Sequence, residues 1–107
     1  MADRIKIFGS YEEAKTNLPN RKPVKVVIRQ RSFCFVRIEN EIKAFSNLCP
    51  HQRASLSDGF ITQFNEIVCP LHAYRYDLKL GVESSSRCDG LEFLNLQIQP
   101  DGVFLII

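Results

Sequence analysis

Several short stretches of the chain alternate apolar and polar positions with the two-residue period of a strand. Val24, Val26 and Ile28 fall on one face and Lys25, Val27 and Arg29 on the other. Residues 32–38 form a second run, with Cys34, Val36 and Ile38 on one face and Phe33, Phe35 and Arg37 opposite. Glu39-Asn40 reads as a turn into residues 41–45, so these runs predict a hairpin. An apolar run at 5–8 precedes them. Alternation returns at 91–99, and Pro100-Asp101-Gly102 makes a turn before 103–107. Ser10 followed by Glu13 has capping-box spacing and predicts a short helix at 11–17, ended by Leu18-Pro19-Asn20.

Residues 46–81 break this pattern. They are rich in Pro, Gly, Cys and short polar stretches, and they hold both histidines of the chain. The expectation is an all-β fold: an antiparallel scaffold, residues 1–45 and 82–107, interrupted by an irregular segment, 46–81. With 107 residues, 45% of them hydrophobic, the chain suits one domain.

Charge narrows the function classes. Fourteen basic residues against twelve acidic ones give a net charge of +2, spread along the chain without a basic run, which gives no support for nucleic-acid binding. No stretch approaches the roughly 18 apolar residues of a membrane helix. The start, Met1-Ala2-Asp3-Arg4-Ile5-Lys6, lacks the apolar centre of a secretory signal. A cytoplasmic or other reducing location is expected, where four cysteines point to metal ligation or free thiols rather than disulfides.

The irregular segment carries the chemistry. Cys49-Pro50-His51 and Cys69-Pro70-Leu71-His72 each pair a thiol with an imidazole, ligands that suit iron and zinc. Proline fixes the backbone of each loop, leaving other amides able to face sulfur. Zinc is one candidate, although its motifs seldom mix Cys-x-His with Cys-x-x-His. A [2Fe–2S] centre with two cysteines on one iron and two histidines on the other is the alternative. No nucleophile–base pair or phosphate-cradling glycine loop supports a catalytic reading.

The two boxes resemble those of Rieske iron–sulfur domains. Leu56-Ser57-Asp58-Gly59-Phe60 is similar to the segment after the family's first box. Ala73-Tyr74-Arg75-Tyr76-Asp77-Leu78-Lys79-Leu80-Gly81 is similar to the stretch after its second. The resemblance implies an antiparallel β-sandwich or partly open barrel, with a small cluster-binding subdomain at 46–81. It implies one [2Fe–2S] cluster per chain, with Cys49 and Cys69 on the buried iron and His51 and His72 on the outer one.

It further implies a one-electron carrier rather than an enzyme, of the ferredoxin type found in dioxygenase systems. The donor would be a flavin-dependent reductase and the acceptor an oxygenase or another reductase, with the carrier itself expected to be a monomer. A small subunit of a nitrite reductase and a zinc-stabilised interaction module are the competing readings.

The chain also departs from the family. Ala54 and Leu71 stand where the cytochrome bc type has disulfide cysteines. Tyr74 occupies the position of a hydroxyl donor, which implies fewer hydrogen bonds to the cluster and a low potential. Ala73 and Arg53-Ala54 replace common glycines. Cys34 is expected as a buried free thiol and Cys88 as an exposed loop thiol. Tyr74 and Tyr76 read as packing residues, Arg53 and Arg75 as solvated charges, and Asp77 as a structural hydrogen-bonding group. Pro50, Pro70 and Leu71 suit either loop packing or an apolar rim beside the histidines.

Overall fold

The computed structural model describes residues 3–51 and 54–106. The expected elements form at the start of the chain: β1 (Arg4–Phe8), α1 (Tyr11–Asn17), β2 (Val24–Ile28), β3 (Arg31–Ile38) and β4 (Glu41–Ser46). The cap of α1 is built as its spacing predicts, with the Ser10 hydroxyl accepting from the Glu13 N–H. Glu13 in turn accepts from the Gly9 N–H. Short strands β5 (Phe60–Ile61), β6 (Glu66–Val68) and β7 (Arg75–Asp77) follow, then β8 (Asn95–Gln99) and β9 (Gly102–Ile106).

Three antiparallel three-stranded sheets result, ordered β1-β9-β8, β2-β3-β4 and β5-β6-β7. The fold is nearly all-β, with its sheets open rather than closed into a barrel.

Strand β3 sits between two cores and buries both of its faces. Cys34 and Val36 join Phe45, Leu56, Ile67, Tyr76, Leu78, Cys49 and Cys69 in one core. Phe33 and Phe35 join Ala14, Leu18, Ile42, Ala44 and Val103 in the other. The alternation read along residues 32–38 therefore separates two apolar interiors rather than interior from solvent. Cys34 is the buried free thiol expected of it, and burial pushes its pKa up to about 12.

One expected strand is shorter than its pattern. Residues 91–99 are mostly alternating, but the phase shifts at Phe93-Leu94 and regular pairing begins at Asn95. Leu91 and Phe93 pack on the core that contains the cysteine pair, while Leu94 and Leu96 pack on the other. The chain crosses from one core to the other here, held by a Leu94 N–H to Ala44 carbonyl bond of 2.8 Å.

Before that crossing the chain turns through residues 83–88. Glu83 is 2% exposed. Its Oε1 accepts from the backbone N–H of Arg87 at 2.8 Å and from Arg87 Nε at 3.2 Å, and its Oε2 from Nη2 at 3.0 Å. The guanidinium holds the Glu83 carboxyl down at about 2, against the opposing effect of burial.

Two predictions follow from these contacts. A Cβ added at Gly59 would lie 1.8 Å from the Val68 carbonyl oxygen, which can move only if β5 parts from β6. Gly59→Ala is expected to cost about 3 kcal/mol in denaturant unfolding. Glu83→Gln is expected to cost about 2 kcal/mol at neutral pH. Because the folded pKa of Glu83 lies below the ordinary 4.5, its stabilisation is present above that value and lost as pH falls towards about 2. The gap in unfolding midpoint between parent and Glu83→Gln should therefore narrow on acidification, and a gap constant down to pH ~3 would contradict the ion pair's role.

Candidate metal centre

The two boxes form loops of the same construction. In the first, the Cys49 N–H donates to the Ala54 carbonyl at 2.8 Å, and in the second the Cys69 N–H donates to the Tyr74 carbonyl at 2.8 Å. Just outside each closure a β-pair forms, Leu48 with Ser55 and Val68 with Arg75. Each cysteine thus starts a loop whose ends are tied by backbone bonds that do not depend on a ligand.

The flanking elements differ. Strand β6 leads directly into Cys69 and β7 leads away from Tyr74, so the second loop is a hairpin end. The first loop is shaped by Asn47, which is 1% exposed. Its N–H donates to the Ser32 carbonyl at 3.1 Å, its carbonyl accepts from the Leu56 N–H at 2.8 Å, and its Oδ1 accepts from the Ser57 N–H at 2.8 Å. No sequence argument singled out Asn47; a short amide side chain at a strand end is the signal that could have done so.

The four expected residues lie at these loops with opposite exposures. Cys49 and Cys69 are each 1% exposed and belong to one core. Their sulfurs neighbour one another, and burial, aided by Cys49, pushes the Cys69 thiol up to about 11 despite a bond from the Leu71 N–H. Such thiols are poor free nucleophiles and good candidates for metal ligation, which removes their protons.

His72 is exposed and His51 half-buried, with ring centroids 5.4 Å apart. His51 Nδ1 is buried without a hydrogen-bond partner, a lone pair left for a ligand. Among the described residues, no three His, Cys, Asp or Glu side chains converge on one ion. The donors meet instead as a thiol pair and an imidazole pair, which suits two linked metal atoms better than one tetrahedral zinc. The residues present therefore fit a [2Fe–2S] group.

The tyrosines do more than pack. Tyr76 is wholly buried, and its hydroxyl lies 3.1 Å from Cys49 Sγ and 3.4 Å from Cys88 Sγ. Burial and the two neighbouring sulfurs push its pKa up, so the phenol keeps its proton and can donate it to sulfur. This corrects the reading of Tyr76 as a packing residue alone, since its hydroxyl reaches a cysteine sulfur. Cys88 is also corrected, since it is half-buried against the same core and not an exposed loop thiol.

The Tyr74 ring stacks on His51 at 3.8 Å and 11°. Its alternation with Tyr76 was legible in the sequence, but not which partner each would touch. Asp77 is the structural group expected of it, accepting from the Leu80 N–H at 2.7 Å. Arg75 is exposed, as expected, and Arg53 lies outside the described residues.

Known proteins share this fold and parts of this sequence. The ferredoxin component of the naphthalene 1,2-dioxygenase/salicylate 5-hydroxylase systems of Ralstonia sp is 38% identical over 65 residues, covering 61% of this chain and 62% of that protein. The chain spans 61–64% of the length of the first curated relatives it matches.

Two solved structures share the fold over nearly the whole chain. The ferredoxin of carbazole 1,9a-dioxygenase from Nocardioides aromaticivorans superposes with a TM-score of 0.77 at 22% identity, covering 95% of each chain. A chain of the complex of reduced oxygenase and oxidized ferredoxin in carbazole 1,9a-dioxygenase gives 0.76 at 20% identity, covering 94% of this chain and 99% of that one. The sequence model of the Rieske [2Fe-2S] domain matches residues 11–92, a span that contains both boxes, and this chain belongs to that family.

Proposed function

We propose that the chain is a Rieske-type ferredoxin. Residues 46–81 act as its cluster-binding subdomain, Cys49 and Cys69 hold the inner iron, and His51 and His72 hold the outer one. The observation that carries the reading is the pairing of two buried thiols with two more exposed imidazoles on matched loops. A bound [2Fe–2S] cluster supplies a one-electron couple. The protein supplies its setting. The core around Cys49 and Cys69 keeps water from the sulfurs, and the Leu71 N–H and the Tyr76 hydroxyl face them. Neutral imidazoles in place of thiolates reduce the negative charge of the site and favour accepting an electron.

The histidine side is where electrons would enter and leave. Pro50, Pro70 and Leu71, exposed and next to the ligands in sequence, would give this side an apolar rim. We assign a flavin-dependent reductase as donor and an oxygenase as acceptor, in line with the similarity to ferredoxin components of dioxygenase systems. The free thiols of Cys34 and Cys88 support work in a reducing compartment such as the cytoplasm.

The test is the visible spectrum of anaerobically purified protein before and after dithionite. Broad red-brown bands that bleach partly on reduction are expected. A colourless protein that stays colourless after iron and sulfide reconstitution would remove the electron-transfer reading.

Tyr76→Phe checks the role of the hydroxyl. A donor on Cys49 sulfur stabilises the more negative, reduced state, so its removal should lower the reduction potential. The expected fall is ~60 mV, a tenfold shift for one electron. Voltammetry of the loaded protein measures it, and an unchanged potential would show that the hydroxyl does not act on the centre.

A further inference from the structure

Arg87 and Cys88 are consecutive residues at the end of the 83–88 turn, and each reaches the first box through a tyrosine. The Arg87 guanidinium lies 3.6 Å from the Tyr74 ring centroid, and that ring is stacked at 3.8 Å on His51. The Cys88 sulfur lies 3.4 Å from the Tyr76 hydroxyl, which is 3.1 Å from Cys49 Sγ. One surface turn is therefore linked to both expected ligands of the first loop.

We infer that the 83–88 turn is a positioning element, in which Arg87, clamped by the buried Glu83 carboxylate, holds Tyr74 against His51 and so fixes the imidazole plane and raises the reduction potential. The inference rests on His51 being a ligand, as proposed above. Three observations carry it. First, a ligand imidazole is ordinarily oriented by hydrogen bonding at its non-coordinating nitrogen. At His51 the buried Nδ1 is the lone pair left for the metal, and the contacts of the ring among the described residues are aromatic, with His72 and Tyr74. A nearly parallel ring at contact distance is what limits its rotation.

Second, Tyr74 is itself held from behind. A guanidinium over an aromatic face is attracted by the ring's negative quadrupole. This one cannot drift, because Glu83 engages it through Nε and Nη2 and anchors the turn through the Arg87 N–H. The side chain of Glu83 is wholly buried while that of Arg87 remains 44% exposed. The carboxylate is thus the fixed end of the pair and the guanidinium the end presented to Tyr74.

Third, the charge has the right sign. The reduced centre is more negative than the oxidised one, so a cation behind the stack favours reduction, with Glu83 offsetting part of the effect. Lysine would keep the charge without the planar fork that engages both carboxylate oxygens.

The experiment is voltammetry, with nitrogen hyperfine spectroscopy of the reduced state, on the loaded full chain. Arg87→Gln is expected to favour the oxidised form about threefold, about 30 mV for one electron, and to change the His51 nitrogen couplings. Arg87→Lys should recover part of the potential shift but not the couplings, and Tyr74→Phe, which keeps the ring, should match the parent in both. Tyr74→Leu should change the couplings even where thermal unfolding is unaltered. Arg4→Gln, which removes a cation on the β1–β9–β8 sheet, should leave both readouts at parental values.

In the Tyr74→Leu background, Arg87→Gln should lose at least half of its effect on the potential. An equal shift in both backgrounds would mean that the charge acts through space, and would overturn the positioning role. Parental potential and couplings in Arg87→Gln would overturn it as well. If Arg87→Gln fails to fold, the contrast between Tyr74→Leu and Tyr74→Phe decides, and parental couplings in both would overturn it. A parent without the [2Fe–2S] spectrum would instead sink the ligand assignment, which separates that failure from this one.

Discussion

Two backbone hydrogen bonds govern the rest of the site. The Cys49 N–H to Ala54 carbonyl bond and the Cys69 N–H to Tyr74 carbonyl bond close two loops of equal size. Each closure is continued by a β-pair, so the loops are extensions of sheet structure. A loop tied this way spends little further conformational entropy when its side chains take up a metal group. It also starts each cysteine at the inner, buried end of a loop, with its histidine further along. The second loop carries a backbone cost. His72 and Ala73 are both left-handed, at φ 67° and 56°, conformations that a side chain disfavours by roughly 1 kcal/mol each. The common family residue at position 73, glycine, would adopt that conformation without the penalty.

The loops depend in turn on β3. Its two faces join the core of the site to the core under α1, which makes the candidate metal centre an extension of the domain interior. Cys34 contributes to the same core as Cys49 and Cys69. Its burial, from the middle of a strand paired on both sides, makes it a packing residue. Position within the fold, rather than residue type, separates this thiol from the two proposed ligands.

Much of this was legible in the sequence, for physical reasons that differ by region. Strand period, the Ser10 cap and the Pro100-Asp101 turn are local signals, and they placed β1 to β4, α1 and β9 well. The two boxes stood out because metal ligation demands particular donors at particular spacings, and the structure brings their thiols and their imidazoles together in pairs. The 91–99 run misled because its phase shifts at the adjacent Phe93 and Leu94, which a reading of one continuous strand passes over. Leu91 and Phe93 alternate as a strand would, yet serve a chain that changes cores. Cys88 misled because its charged neighbours, Arg87 and Asp89, suggest solvent. Arg87 is in fact spent on Glu83 and Tyr74, which leaves the next residue free to turn inward. Contacts such as Tyr76 with Cys49 join residues 27 positions apart and have no local signature.

The asymmetry between thiols and imidazoles shows how one small chain could be both stable and suited to the electron exchange proposed for it. A buried charge is costly, so the thiolates need a metal, amide N–H groups and a hydroxyl around them. Tyr76 serves this need from within the core because its raised pKa keeps it a donor rather than a second anion. The imidazoles carry no such penalty and can stand nearer solvent, as His72 does. Exposure, however, costs them orientation, since packing holds a surface ring less firmly than a buried one. His51 resolves that conflict by stacking on Tyr74, and Tyr74 by lying beneath a guanidinium whose counter-ion is buried. Rigidity thus reaches the exposed side of the site from the Glu83 carboxylate, through side chains alone, while His72 stays exposed.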